Sequence, residues 1–470
     1  MGSKNLKSIS VSGTGSVKIA KPEELMELYL YFARLATCKP SEGRQNPIRY
    51  MKYYTGSAPG QPRIIDEVDN SAIGEDVLKG FVEKRFGGCY ACPLSCLIGF
   101  RFKDESIPAG AGCCNEIHFC RDAEHRYYDG KKVGRALIEA ARLHDDLGLS
   151  ETQTGFKWEY EWFKKFVDAG ILTKENTELP LDKIGSSEFW GKYLHKIAYR
   201  EGIGDLIAEG EERFFAKLLE IIPEELQETA KEIRDWWLWK SGCGYYANMS
   251  GHEGITNALS VVEFAAEARR SHQTRGHLTN PNQKSCYLSP GDLEKVQRAG
   301  AIKYFGTEKV LDKHSFEAKV PAAIYIQHLG FVSDCLPYCR WAFPKGYSWY
   351  TSDNLGDVTI GSKIFSAVTG IEITEDEMLK SVGERGFNLE RTIMVREGRR
   401  RKNDGYNDSI FQRNREWLSK DTFREAMDNY YAARDWDLET GIPRRKKLEE
   451  LGFKGVADEL EEKYGIQVPQ

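Results

Sequence analysis

The spacing of apolar and polar residues changes near residue 20. Before it, Ile9 and Val11 alternate with serine, "SGTGS" turns, and Val17 and Ile19 alternate again. That is a two-residue period, so residues 1–20 are expected to form a β-hairpin. Two strands alone are marginal in water, so this hairpin predicts a larger sheet beside it. From Pro22 the period becomes helical: Leu25, Leu28, Tyr29, Phe32 and Leu35 share one face after the start signal "KPEE". Val133, Ala136, Leu137, Ala140 and Leu147 repeat the pattern, with Gly148 placed to end that helix. Further helical patterns cover 155–170, 189–200, 204–220, 255–271, 421–434 and 445–462. The expected class is therefore mainly α. It comprises a hairpin over 1–20, a helical domain over 21–225 and a second helical domain over 226–470.

Composition narrows the function. The chain has 470 residues, 41% of them hydrophobic and 29% charged, which is the balance of a folded protein. A net charge of −5 gives no reason to expect nucleic acid as a partner. No apolar run is long enough for a membrane span. The basic run "REGRRRK" (396–402) reads as a solvated surface. The aromatic run "DWWLWKSGCGYY" (235–246) reads as core.

Eleven cysteines change the picture more. An odd, clustered set without a secretory leader points to a reducing cytoplasm, to metal ligation and to an anaerobic cell. "GGCYACPLSCLIGF" places Cys89, Cys92 and Cys96 within eight residues. Three close thiolates and a remote fourth suit an iron–sulfur cluster. Zinc, or buried thiols without metal, are the alternatives that spacing leaves open. "SDCLPYCRWAFP" offers Cys335 or Cys339 as the remote ligand, and spacing does not choose between them.

Several stretches, in order, resemble the aldehyde ferredoxin oxidoreductase family: "MGSKNLKSISVSGTG", "CYACPLSC", "DDLGLS" (145–150), "EGIGDLIAEG" (201–210), "DCLPYC" (334–339), "GFNLERTIMVREGRRRKND" (386–404) and "NYYAARDWDLETGIP" (429–443). The resemblance implies a tungsten or molybdenum bis-pterin beside one [4Fe–4S] cluster held by Cys89, Cys92, Cys96 and Cys339. "DDLGLS" and "DCLPYC" resemble the family's two D-x-x-G-L pterin motifs, with Ser150 for Asp and Pro337-Tyr338 for Gly-Leu. Asp145, Gly148, Leu149 and Asp334 are thereby cofactor-binding candidates, since a carboxylate at a helix end can accept from the pterin's N–H edge.

Glu116, in "AGAGCCNEIHFC", stands where the family carries a glutamate near the metal, and Cys113 and Cys114 beside it are candidate metal thiolates. His277 in "SHQTRGHL" is the candidate histidine, with His252 second. Family members carry a β-rich N-terminal domain before the first quoted strand. That piece is expected from a separate polypeptide or from an earlier start, unless the cofactor has been lost.

The implied activity is oxidation of an aldehyde to an acid, or the reverse, with electrons passing through the cluster to ferredoxin or an iron–sulfur subunit. A benzoyl-CoA-reductase-like reduction of an aromatic or acyl thioester is one alternative, and a non-catalytic electron-transfer fragment another. The oligomeric state, a homodimer included, stays open.

Overall fold

A computed structural model of the chain describes residues 6, 8–36, 98–101, 108–112, 127–128, 131–132, 134–149, 159–241, 257–268, 290–338, 345–348, 350–406, 408–411 and 416–470. In chain order the elements that matter below are α1 (Pro22–Ala36), β1 (Ile98–Arg101), β2 (Pro108–Gly112), α2 (Gly134–Leu147), α3 (Glu159–Asp168), α4 (Lys174–Thr177), α5 (Ser187–Tyr199) and α6 (Ile203–Ala208). They continue with α7 (Glu211–Ile221), α8 (Glu224–Ser241), α9 (Ala258–Ala265), α10 (Pro290–Phe305), α11 (Lys319–Cys335), β3 (Lys345–Tyr347), β4 (Leu355–Asp357) and α12 (Ile360–Thr369). Last come α13 (Glu375–Met378), a π-helical stretch (Leu379–Glu384), α14 (Arg385–Arg396), α15 (Lys420–Arg434), α16 (Arg445–Glu450) and α17 (Lys454–Glu462). The protein is mainly helical, as the periodicity predicts, with strands only in two-stranded antiparallel pairs among the described residues.

The chain divides into two compact units, Met1–Ser16 with Arg44–Lys240 and Val17–Gly43 with Ser241–Gln470. α8 runs unbroken through residue 225, where the sequence places a boundary.

The first unit is built on an aromatic core. Trp162 and Phe166 of α3, Phe189 and Trp190 of α5, Phe214 and Phe215 of α7 and Trp237 of α8 are all buried there. Trp162 lies 4.7 Å from Phe214, ring centre to ring centre, and Phe163 meets Tyr193 edge to face at 5.4 Å. Such pairs add about 0.5–1.5 kcal/mol each beyond their buried area. α5 starts because Ser186 Oγ accepts from Phe189 N–H at 3.1 Å, an N-cap. Gly204 lets α6 approach α5 closely: a Cβ there would lie 2.2 Å from the Lys196 carbonyl. α2 packs on α5 through Ala140, Leu143 and Leu147. The long helix expected over 204–220 is broken into α6 and α7 at Gly210, whose φ of 89° suits glycine.

In the second unit α9, α11 and α15 enclose Leu259, Val262, Ala322, Ala323, Ile326, Met427 and Tyr430, with Phe387 of α14 and Trp436. α1 joins this unit rather than its sequence neighbours. Ala20 N–H donates to Val368 O (3.1 Å), Lys21 N–H to Ala367 O (2.9 Å), and Ser348 Oγ to Leu35 O (3.0 Å).

Two expectations need correction. The hairpin over 1–20 is not formed: among its described residues no strand pairing occurs, and Ile9, Val11 and Val17 are 73%, 91% and 80% exposed. Among the described residues no third strand lies beside it, so the alternating pattern has no sheet there to bury into. The basic run 396–402 is not wholly a solvated face. Arg399 is buried: its Nε reaches Asp404 Oδ1 at 2.6 Å, and its Nη1 and Nη2 donate to the carbonyls of Glu267 and Ala265. Arg391, fully buried, meets Asp404 from the other side at 2.7 Å, and Tyr431 Oη donates to the same carboxylate. Burial alone would raise the Asp404 pKa, but the two guanidiniums outweigh it and hold the carboxyl below its ordinary range. The run hides a buried ion cluster that ties α9, α14 and α15 together.

Candidate functional site

The two aspartate motifs adopt the same backbone turn. At the end of α2, Leu149 N–H donates to His144 O at 2.8 Å, and Gly148 between them has φ of 70°. At the end of α11, Tyr338 N–H donates to Ser333 O at 2.7 Å, and Pro337 takes the glycine's place with φ of 22°. Each is a six-to-one Schellman closure, which tightens a helix C-terminus and turns the chain away. Asp145 and Asp334 therefore stand at equivalent positions, one residue after the carbonyl that accepts the closing bond. In both motifs the residue before the aspartate is buried and bonds back one turn. His144 Nδ1 lies 2.8 Å from Ala140 O, and Ser333 Oγ donates to Leu329 O at 3.1 Å.

This arrangement works against helix stability. Carbonyl groups gather at a C-terminus, and a carboxylate there costs about 0.3–1 kcal/mol against the helix dipole. Carboxylate and carbonyls together present acceptors only, so the turn suits a ligand edge rich in N–H donors. Asp334 is half-buried. Asp146, by contrast, points to solvent and pairs with Arg142 at 3.3 Å. Leu149 packs against the first unit's core and fixes the chain's exit from the turn.

His144 was not singled out by sequence reasoning. Its ring is buried, and burial pushes its pKa down to about 4 even though the bond to Ala140 O favours the charged form. A carbonyl can only accept, so the neutral ring carries its proton on Nδ1 and presents Nε2 as an acceptor. The available signal was its place immediately before the motif.

Of the predicted site residues, Gly148, Leu149 and Asp334 are described in full and Asp145 through its helical backbone. Cys89, Cys92, Cys96, Cys339, Cys113, Cys114, Glu116, His277 and His252 lie outside the described residues. Cys335 is exposed as the last residue of α11. Among the described residues no group of three or more His, Cys, Asp or Glu is arranged to hold a metal ion. No described helix is long and apolar enough to cross a membrane.

Residues 51–453 match the family described as aldehyde ferredoxin oxidoreductase, domains 2 and 3. The chain is 25% identical over 490 aligned positions to the tungsten-containing aldehyde ferredoxin oxidoreductase of Pyrococcus furiosus, covering 96% of this chain and 68% of that protein. It is 24% identical to the corresponding protein of Thermococcus kodakarensis, with the same coverage of each. The WOR-like subunit of an aliphatic sulfonate oxidoreductase from Pyrococcus furiosus is 23% identical, covering 96% of this chain and 65% of that one. Among solved structures, the fold is similar to the active-site complex BamBC of benzoyl coenzyme A reductase with 1,5-dienoyl-CoA. The TM-score is 0.65 at 16% identity, over 97% of this chain and 69% of that one. With the family match spanning residues 51–453, most of its length, the chain belongs to the aldehyde ferredoxin oxidoreductase family.

Proposed function

We propose that this oxidoreductase interconverts an aldehyde and its carboxylic acid at a tungsten or molybdenum bis-pterin, passing electrons through a [4Fe–4S] cluster to ferredoxin or an iron–sulfur subunit. The observation that carries the reading is the pair of matched turns ending α2 and α11, each placing an aspartate at a costly helix C-terminus. The donor set fits the group. Asp145 and Asp334 supply acceptors for the pterin's N–H edges, and Gly148 keeps the backbone free of a side chain at that edge. Cys89, Cys92, Cys96 and Cys339 supply the four thiolates that an iron–sulfur cube takes. The bound metal would supply two-electron chemistry and the cluster one-electron transfer.

The chain's own residues have narrower tasks. His144 and Ser333 tie the last turns of α2 and α11 back onto themselves, so each aspartate is presented from a fixed backbone. Glu116 is assigned to hold or move a proton beside the reacting carbon, with His277 as second proton carrier and Cys113 and Cys114 as soft donors to the metal. Exposed, alternating Ile9, Val11, Val17 and Ile19 offer apolar side chains that a further sheet, in this polypeptide or another, would cover. A cytoplasmic, reducing setting accords with the thiol content.

The test is metal and pterin analysis of the chain, isolated anaerobically with any partner, followed by viologen-coupled assays. Tungsten or molybdenum with about four irons per chain, and viologen reduction by aldehydes, is the expected result. Iron without either heavy metal, or zinc alone, would overturn the reading. A response to an aryl-CoA couple with none to aldehydes would transfer the assignment to thioester reduction.

A further inference from the structure

The stretch "NYYAARDWDLETGIP" finds its role in a clamp around α11. Arg434 ends α15 and is 3% exposed. Its Nε donates to Tyr430 Oη at 3.0 Å, its Nη2 to Gln327 Oε1, and its Nη1 lies 2.8 Å from His328 Nε2. A guanidinium only donates, so His328 accepts through Nε2 as a neutral ring. Burial first, and then the charges of Arg434 and Lys447, push the His328 pKa down to about 2. Tyr430 Oη donates to Gln327 Oε1 at 2.7 Å, and Gln327 Nε2 donates to Glu263 O at 3.0 Å. Phe387 of α14 lies against the guanidinium, 4.0 Å from its carbon to the ring centre.

The same side of α11 is also approached closely by backbone. The helical run from Glu375 to Arg396 contains the π stretch, a local widening that commonly marks a functional constraint. Gly383 there sits so close to α11 that a Cβ would lie 2.7 Å from His328 O, and one on Gly386 would lie 2.1 Å from the Phe331 ring. At its start α11 is pinned by Lys319 Nζ, which donates to Lys309 O at 2.9 Å. Two adjacent side chains held by one planar fork fix both the rotation and the height of the helix. Asp334 follows His328 by six residues, about 9 Å along the axis.

We propose that Arg434 is a positioning residue for Asp334: acting through Gln327 and His328, it sets the rotation and height of α11 and so the place of the carboxylate. The proposal rests on the reading that Asp334 holds the pterin. In Arg434→Lys the charge stays while the fork is lost. Pterin and tungsten per chain should then fall about tenfold or more, as when a group supporting a metal ligand is removed.

A control separates placement from general loss of stability. Leu460→Ala opens the C-terminal core of Leu448, Leu451 and Phe453, away from the clamp. At equal or greater loss of melting temperature it should keep its pterin. If Arg434→Lys retains pterin, or loses it only in proportion to its melting temperature as Leu460→Ala does, the proposal fails. If Asp334→Ala retains pterin, the underlying reading fails instead.

Discussion

Glu375 opens α13 and sits with its carboxyl turned inward rather than into water. Burial is the main reason its pKa is pushed up to about 7. Ser362 and Lys363 oppose the rise, while Asp357 and Asp376 add to it. A carboxyl that binds its proton more tightly folded than unfolded favours the fold only while protonated. Its contribution is complete below the unfolded value near 4.5, and it is lost as the pH climbs through about 7. Between those limits the folded state holds the extra proton, so stability must fall with rising pH. A rise from 4.5 to about 7 corresponds to roughly 3 kcal/mol at 1.36 kcal/mol per pH unit, and nearer 2 once residual solvent contact is allowed for.

Glu375→Gln keeps the shape of the protonated acid and cannot ionise. At pH 5 the variant and the parent should unfold at nearly the same urea concentration. At pH 8 the variant should be more stable by about 2–3 kcal/mol, from the same shift. Urea titrations of both proteins at pH 5, 6, 7 and 8, followed by circular dichroism, measure the difference directly. A difference that stays constant with pH, or a parent more stable than the variant at pH 8, would refute the reasoning.

Three further outcomes follow from the packing. Asp404→Asn leaves Arg391 and Arg399 buried without their carboxylate, and denaturant unfolding should show a loss of about 3–5 kcal/mol. Pro337→Gly should stabilise the end of α11 by about 1–2 kcal/mol, because a φ of 22° suits glycine and the new N–H can donate to Asp334 O; an unchanged or lower melting temperature counts against it. Gly204→Ala should cost about 1–3 kcal/mol or abolish folding of the first unit, since the Lys196 carbonyl is backbone and cannot turn aside; protease sensitivity of 187–221 reads this out.

How much of this was legible in the sequence depends on whether the signal was local. α1, α2 and α15 follow amphipathic stripes and lie within a residue or two of where the period places them. α11 gave no such stripe. "KVPAAIYIQHLGFVSDC" is apolar almost all round because α9, α14 and α15 surround it, and a helix buried on every side has no polar face to set its period. Pro321 also argues against a helix when read alone, yet it lies in the first turn, where its missing N–H is not needed. Residues 386–404 resemble a family motif, but the π stretch just before them, Leu379–Glu384, has no local signature.

The site shows the same division. Asp145 and Asp334 could be found from the motifs, because the turn that carries each is closed by bonds within six residues. What holds the second of those turns could not. Arg434 lies more than a hundred residues from the adjacent Gln327 and His328, and their meeting depends on the packed helices. The Arg399 error has the same origin. Five basic residues in seven look solvated until Asp404, Glu267 and Ala265 come in from outside the run. A charge run states what must be neutralised or hydrated and leaves open which of the two occurs. The tertiary partner decides, and here it turns a run that reads as surface into a joint of the second unit.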